Sequence, residues 1–205
     1  MPVQYWFPTC VYRAPLVRRS GEAFTQELHA ACQRLKQEDE AGQRWCTEHY
    51  AGGYTSYGTQ RGLHRSHLPF KELETKVWPH VRRFAARLDM DLSEVNLSMT
   101  DCWVNIMSGG AAHPFHAHPS AVLSGTFYVA TPAGSSPLEL EDPRFENFAG
   151  SPPQRAVCRP ANSRRVAYEA RAGELILFES WLRHQVPPQA GNEQRISISF
   201  NYAWV

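Results

Sequence analysis

The spacing of hydrophobic and polar positions changes once along the chain, near Asp89, from a helical period to a strand-like one. Before the change, Phe24, Leu28, Ala31, Cys32 and Leu35 form an apolar stripe at helical spacing, with Ser20 as the expected N-cap and Gly42 as the expected stop. Leu73, Val77, Val81, Phe84 and Leu88 form a second stripe, backed by Lys71, Glu72, Glu74, Arg82 and Arg83. Pro79 falls inside it, which predicts a kink or two abutting helices. Ahead of both, residues 3–17 are aromatic and β-branched and read as a strand broken by Pro8. Between the stripes, residues 42–70 show no period and read as a long loop rich in Gly and Tyr, with His64 and His67 at the surface.

After Asp89, strands are expected near residues 97–107, 123–130, 138–140, 164–170, 174–178 and 195–203. Turn clusters at 131–137, 150–153 and 187–192 separate them. Helices followed by a run of short strands predict an α+β, mainly β class, with N-terminal helices packed on one sheet of a sandwich or barrel. The 205 residues suit a single domain, 1–95 helical and loop, 96–205 the β core.

Composition narrows the function. The net charge of +1 leaves no electrostatic footprint for nucleic acid or an anionic membrane, and no apolar run reaches the length of a membrane span. Cys10, Cys32, Cys46, Cys102 and Cys158 are scattered, odd in number and contain no C-x-x-C pair. That pattern argues against a disulfide framework or a zinc knuckle and fits a reducing cytoplasm. Met1–Pro8 lacks a basic segment followed by an apolar run, so no signal peptide is expected.

The chemistry concentrates late in the chain. His116 and His118 stand at i and i+2, which sets both on one face of a strand that Pro119 ends, and they can grip one metal ion at about 2.0–2.2 Å. His184 lies far downstream, and Arg195-Ile196-Ser197 follows after ten residues. Three imidazoles on facing strands leave half an octahedron open, as non-haem Fe(II) requires, although these donor types alone also suit zinc. Arg195 separates the two. An Arg within the apolar strand of Ile196, Ile198 and Phe200 must meet an anion, and with Ser197 on its face it can clamp a carboxylate. An internal ion pair to Asp101, Glu139 or Glu141 is the alternative.

The pattern His116-x-His118, His184, then Arg195-x-Ser197 resembles the signature of the Fe(II)/2-oxoglutarate-dependent oxygenases. The text around it is similar to a largely uncharacterised bacterial branch of that superfamily. The matching pieces are Phe7-Pro8-Thr9, Gly53-Tyr54-Thr55-Ser56, Trp103-Val104-Asn105, His116-Ala117-His118-Pro119, 123–129, Asp142-Pro143-Arg144 and 180–184. The resemblance implies a double-stranded β-helix, or jelly roll, with His116, His118 and His184 on Fe(II). It also implies Arg195 and Ser197 on the far carboxylate of 2-oxoglutarate, helped by Tyr128 and, on the same face, Ser124. The implied activity couples oxidative decarboxylation of 2-oxoglutarate by O2 to oxidation, with hydroxylation the expected outcome, of a small-molecule or peptidyl substrate. One departure stands out: His118 occupies the place of the usual carboxylate ligand, which would leave the iron site about one positive charge richer.

Two other classes compete. Gly110, five residues, then His116-x-His118 matches the opening of a cupin-type dioxygenase or isomerase, but Val122 and Leu123 stand where its Glu is expected. A non-catalytic jelly-roll binding protein would need no 2-oxoglutarate and gives Arg195 no task.

Overall fold

The computed structural model describes residues 2–16 and 22–204, with the side chains of Glu22 and Asn147 left aside. Ten strands and four helices follow one another in the described chain: β1 (Val11–Pro15), α1 (Glu22–Glu38), α2 (Glu40–His49), β2 (Gly53–Thr55), α3 (Leu63–Ser66), α4 (Leu68–Arg87), β3 (Leu97–Met107), β4 (His113–His116), β5 (Leu123–Ala130), β6 (Leu138–Glu141), β7 (Arg165–Tyr168), β8 (Glu174–Glu179), β9 (His184–Val186) and β10 (Arg195–Trp204). A six-stranded sheet in the order β1-β8-β5-β10-β3-β2 faces a four-stranded sheet in the order β4-β9-β6-β7. Every strand pair is antiparallel, and the two sheets make the double-stranded β-helix.

The helices sit on the larger sheet: α1 meets β5, α4 meets β8, α3 meets β3 and α2 meets β2. The stripe residues Leu28, Cys32, Leu35, Leu73, Val77, Val81 and Phe84 are buried, in one apolar core with Val104, Phe127, Leu177, Ile198 and Phe200. Burying a side chain of that size stabilises the fold by roughly 1.5–3 kcal/mol each, which outweighs the weak helical preference of the short segments.

Several expectations are corrected. The Ser20 cap lies outside the described residues. Gly42 does not stop a helix: α1 ends at Glu38, and Asp39 caps α2 by accepting from the Gly42 N–H at 3.0 Å. The second stripe is one continuous helix, because Pro79 faces solvent, where the Thr75 carbonyl that loses its donor can meet water. Residues 42–70 hold α2, β2 and α3 rather than a long loop. Their anchor is buried Asp39, which accepts from Tyr54 Oη at 2.9 Å and Thr59 Oγ1 at 2.5 Å. His64 is buried and His67 exposed, so only the second is at the surface as expected. The early strand covers Val11–Pro15 alone, the strand expected to carry both His116 and His118 is β4 and ends at His116, and β9 is a strand that alternation did not disclose.

Candidate metal and cosubstrate site

Antiparallel pairing of β4 with β9 sets His116 opposite His184. The register shifts between His113 and His116, and His116 and His184 line one cavity. His116 Nδ1–H donates to Pro114 O at 2.7 Å, and His184 Nδ1–H donates to Leu182 O at 2.8 Å. Each carbonyl fixes the ring tautomer and leaves Nε2 unprotonated, the state in which it can bind a metal. The two ring centroids are 4.2 Å apart.

His118 arrives differently. Strand β4 ends at His116, so alternation along one strand does not aim the third histidine. Its backbone N–H instead donates to Ser180 O at 2.9 Å, and its ring stacks on His184 with the Nε2 atoms 3.3 Å apart. The donor atoms of His116, His118 and His184 lie within 4.8 Å of one another. A bulge in β10 at Asn201/Tyr202 accompanies the approach of the Asn201 amide to this ring. Asn201 Nδ2 faces His118 Nδ1 and Asp101 Oδ2, each at 3.4 Å. With the amide nitrogen donating there, the ring proton stays on Nε2. Ligation by His118 therefore needs that proton moved to Nδ1 and the amide turned over, a demand that His116 and His184 do not face.

Arg195 enters the same cavity from β10, 2% exposed. Its Nε donates to Ser136 O at 3.1 Å, and Nη1 donates to Ser197 Oγ at 3.3 Å with Met107 Sδ at 3.5 Å. None of its expected acidic partners reaches it. Asp101 pairs with Arg61 at 3.7 Å, Glu139 accepts from Gln185 at 2.7 Å, and Glu141 pairs with Arg165 and Arg183 at 3.1 and 3.0 Å. Among the described residues this guanidinium has no carboxylate. Tyr128 lies under it, 5.1 Å from ring centroid to guanidinium carbon, and the proton of the buried Tyr128 hydroxyl finds no acceptor among the described residues.

Ser124 also lines the cavity, but its hydroxyl is engaged with Ser180 Oγ at 2.7 Å and Asn201 Oδ1 at 2.8 Å, beside His118. Trp103 and Phe178 form walls, Trp103 against His118 and Phe178 edge-on to His184. Phe127 belongs to the core, Trp181 is 47% exposed, and Phe115 lies under the guanidinium groups of Arg165 and Arg183. Three further residues stand at the cavity without having been singled out as site residues from the sequence: His113, Tyr50 bonded to it at 2.8 Å, and Asn201. His113 stands three residues before His116, and its presence in a run with three histidines was the available signal.

Burial dominates the electrostatics. It pushes His184 and His113 down to about 3 and His118 to about 4, with the neighbouring His116 adding to each shift. Burial also lowers the Arg195 pKa and raises that of Tyr128. Neutral imidazoles are the form a metal ion binds. An unpaired guanidinium beside a protonated phenol offers charge and donors to an anion.

Residues 101–201 match the family model described as "Putative 2OG-Fe(II) oxygenase". No curated protein matches. Among solved structures, a Pseudomonas putida prolyl-4-hydroxylase is similar with a TM-score of 0.60 and 15% identity, over 95% of this chain and 92% of that one. HygX from Streptomyces hygroscopicus, bound to nickel, 2-oxoglutarate and hygromycin B, gives 0.63 and 14% over 95% and 83%. The epimerase SnoN from nogalamycin biosynthesis gives 0.62 and 16% over 95% and 76%. At these identities the structural likeness speaks for the fold.

Proposed function

The chain belongs to the 2-oxoglutarate/Fe(II) oxygenase superfamily, and from that premise we propose which of its residues carry the reaction. It is an Fe(II)- and 2-oxoglutarate-dependent dioxygenase. His116 and His184 are the fixed metal ligands, each with its tautomer set by a backbone carbonyl, and His118 is the conditional third. When bound, iron supplies O2 activation coupled to loss of CO2 from 2-oxoglutarate, and thereby the oxidation of the prime substrate.

The chain's own part is to hold and orient. Arg195 takes the far carboxylate of 2-oxoglutarate, Ser197 keeps Nη1 in place, and the Tyr128 hydroxyl adds a donor. The observation that carries this reading is the buried Arg195, without an acidic partner, in one cavity with three convergent histidines. A buried charge left unpaired costs several kcal/mol, so a site that keeps one is built for an anion. Ser124 acts through Ser180 and Asn201 on the His118 end, rather than by offering a free hydroxyl to the cosubstrate. Trp103 and Phe178 exclude water beside the ligands.

The prime substrate is a small molecule or a peptidyl side chain, and hydroxylation is the simplest outcome. No helix among the described residues is long and apolar enough to cross a membrane, and all five cysteines are free thiols, which supports a reducing cytoplasm as its location.

Iron content of three variants tests the ligand set. His116→Ala and His184→Ala are expected to lose stoichiometric Fe(II), whereas His118→Ala retains part of it at saturating metal. Full iron in the His184→Ala protein removes that residue from the set.

A further inference from the structure

A fourth histidine lines the cavity, and the protein has prepared it as a donor. The Tyr50 hydroxyl lies 2.8 Å from His113 Nε2, with the two rings tilted at 31° and their centroids 4.9 Å apart. Tyr50 is itself fixed: its N–H donates to Cys46 O at 2.8 Å and its carbonyl accepts from Gly53 N at 3.0 Å. A methyl group at Gly53 would overlap the Tyr50 ring, so this seat exists because residue 53 has no side chain. Gly53 pairs with Met107 and Met107 with Arg195, which brings the Tyr50–His113 unit to the end of the cavity that holds the guanidinium.

The direction of the hydrogen bond follows from proton accounting. The Tyr50 phenol, kept protonated by burial, has no other acceptor among the described residues, so it must donate to Nε2. The proton of the neutral ring then resides on Nδ1. That N–H has no acceptor among the described residues. The Tyr128 proton likewise has no acceptor among the described residues, since Arg195, with which that hydroxyl interacts, can only donate. Two unspent donors beside a guanidinium without a carboxylate suit an anion richer in acceptors than one guanidinium satisfies, and a carboxylate offers about four lone-pair sites.

We propose that His113, aimed by Tyr50, is a further cosubstrate-binding residue whose Nδ1–H donates to a 2-oxoglutarate oxygen. The inference rests on the assignment of Arg195 to the same cosubstrate. Tyr50 is a positioning residue: it touches no cosubstrate atom and acts by fixing the His113 tautomer.

Calorimetric titration of 2-oxoglutarate into the anaerobic, Mn(II)-loaded protein tests it without turnover. His113→Phe keeps the ring and loses the donor, and weakens binding about tenfold to a hundredfold, as expected for a hydrogen bond to a charged acceptor. Mn(II) stoichiometry stays unchanged. Tyr50→Phe frees the other tautomer and weakens binding several-fold, and His113→Gln, which restores an N–H, recovers part of the loss. A His113→Phe protein that binds 2-oxoglutarate as tightly as the parent overturns the proposal. Should that variant fail to take up Mn(II), unchanged affinity in Tyr50→Phe overturns it instead. Arg195→Ala is the separate control: parental affinity there overturns the clamp and, with it, the role of His113.

Discussion

At the scale of single residues, the site was legible where chemistry makes a residue expensive to keep. Arg195 in an apolar strand announces an anion, and its geometry agrees with a clamp: hydrogen bonds to Ser136 O and Ser197 hold the fork while no acid neutralises it. Tyr50 was not legible as part of the site, because a tyrosine just past the end of α2 and a histidine in a distant strand carry no joint pattern, and His113 showed only as one more histidine ahead of His116. The clamp has a consequence for stability as well as binding. Replacing a buried charge that lacks a counter-ion by an apolar side chain of similar volume removes a desolvation cost that the bonds to Ser136 O and Ser197 offset only in part. Arg195→Met should therefore melt no lower than the parent without 2-oxoglutarate, while its 2-oxoglutarate affinity falls by about 2–5 kcal/mol, read by calorimetry. A variant that melts well below the parent and still binds the cosubstrate would make Arg195 a structural residue.

At the scale of elements, periodicity disclosed the long strands and both apolar stripes, since each has enough residues to show a period. Strands β4 and β9 have four and three residues, too few for alternation to fix where β4 ends or to show β9 at all, yet they carry His116 and His184. His118 lies beyond the end of β4, and tertiary contacts with Ser180 and Asn201 position it instead of strand alternation. Residues 42–70 misled for a related reason: their order comes from Asp39 reaching Tyr54 and Thr59, not from any local hydrophobic repeat. The central strand β5 offers a direct check on packing. Gly125 pairs with Phe200 on one side and Leu177 on the other, and a Cβ there would stand 2.6 Å from atoms of both side chains. Gly125→Ala should lower stability by about 1–3 kcal/mol in urea unfolding, as overpacking does. An unchanged midpoint would mean that the two side chains yield more freely than their burial implies.

At the scale of the whole molecule, helices on one face of the large sheet leave the opposite face free to enclose the cavity with the small sheet. Desolvation of the cavity couples folding to pH. His113 and His184 titrate at about 3 and His118 at about 4 in the folded protein, against 6.5 when exposed. Between those values the unfolded chain binds more protons, so stability rises with pH. The contribution of these histidines is fully present above about pH 6.5 and is lost as pH falls toward 4 and then 3. Each histidine contributes at most about 1.4 kcal/mol per pH unit in that window. Melting temperatures of the metal-free protein at pH 7, 6 and 5 should fall in that order, and less steeply in a His113→Phe, His184→Phe double variant. A flat profile would contradict the burial of these rings.

The central claim is that one cavity holds an iron ion between histidines from β4, β9 and the segment after β4, with 2-oxoglutarate spanning from it to Arg195. An anaerobic titration of the Fe(II)-loaded protein with 2-oxoglutarate, followed by visible absorption, tests it most directly. A weak charge-transfer band that saturates at one equivalent, and needs far more 2-oxoglutarate in Arg195→Ala, is the expected result. A parent protein that holds Fe(II) yet shows no band at any 2-oxoglutarate concentration would contradict the account.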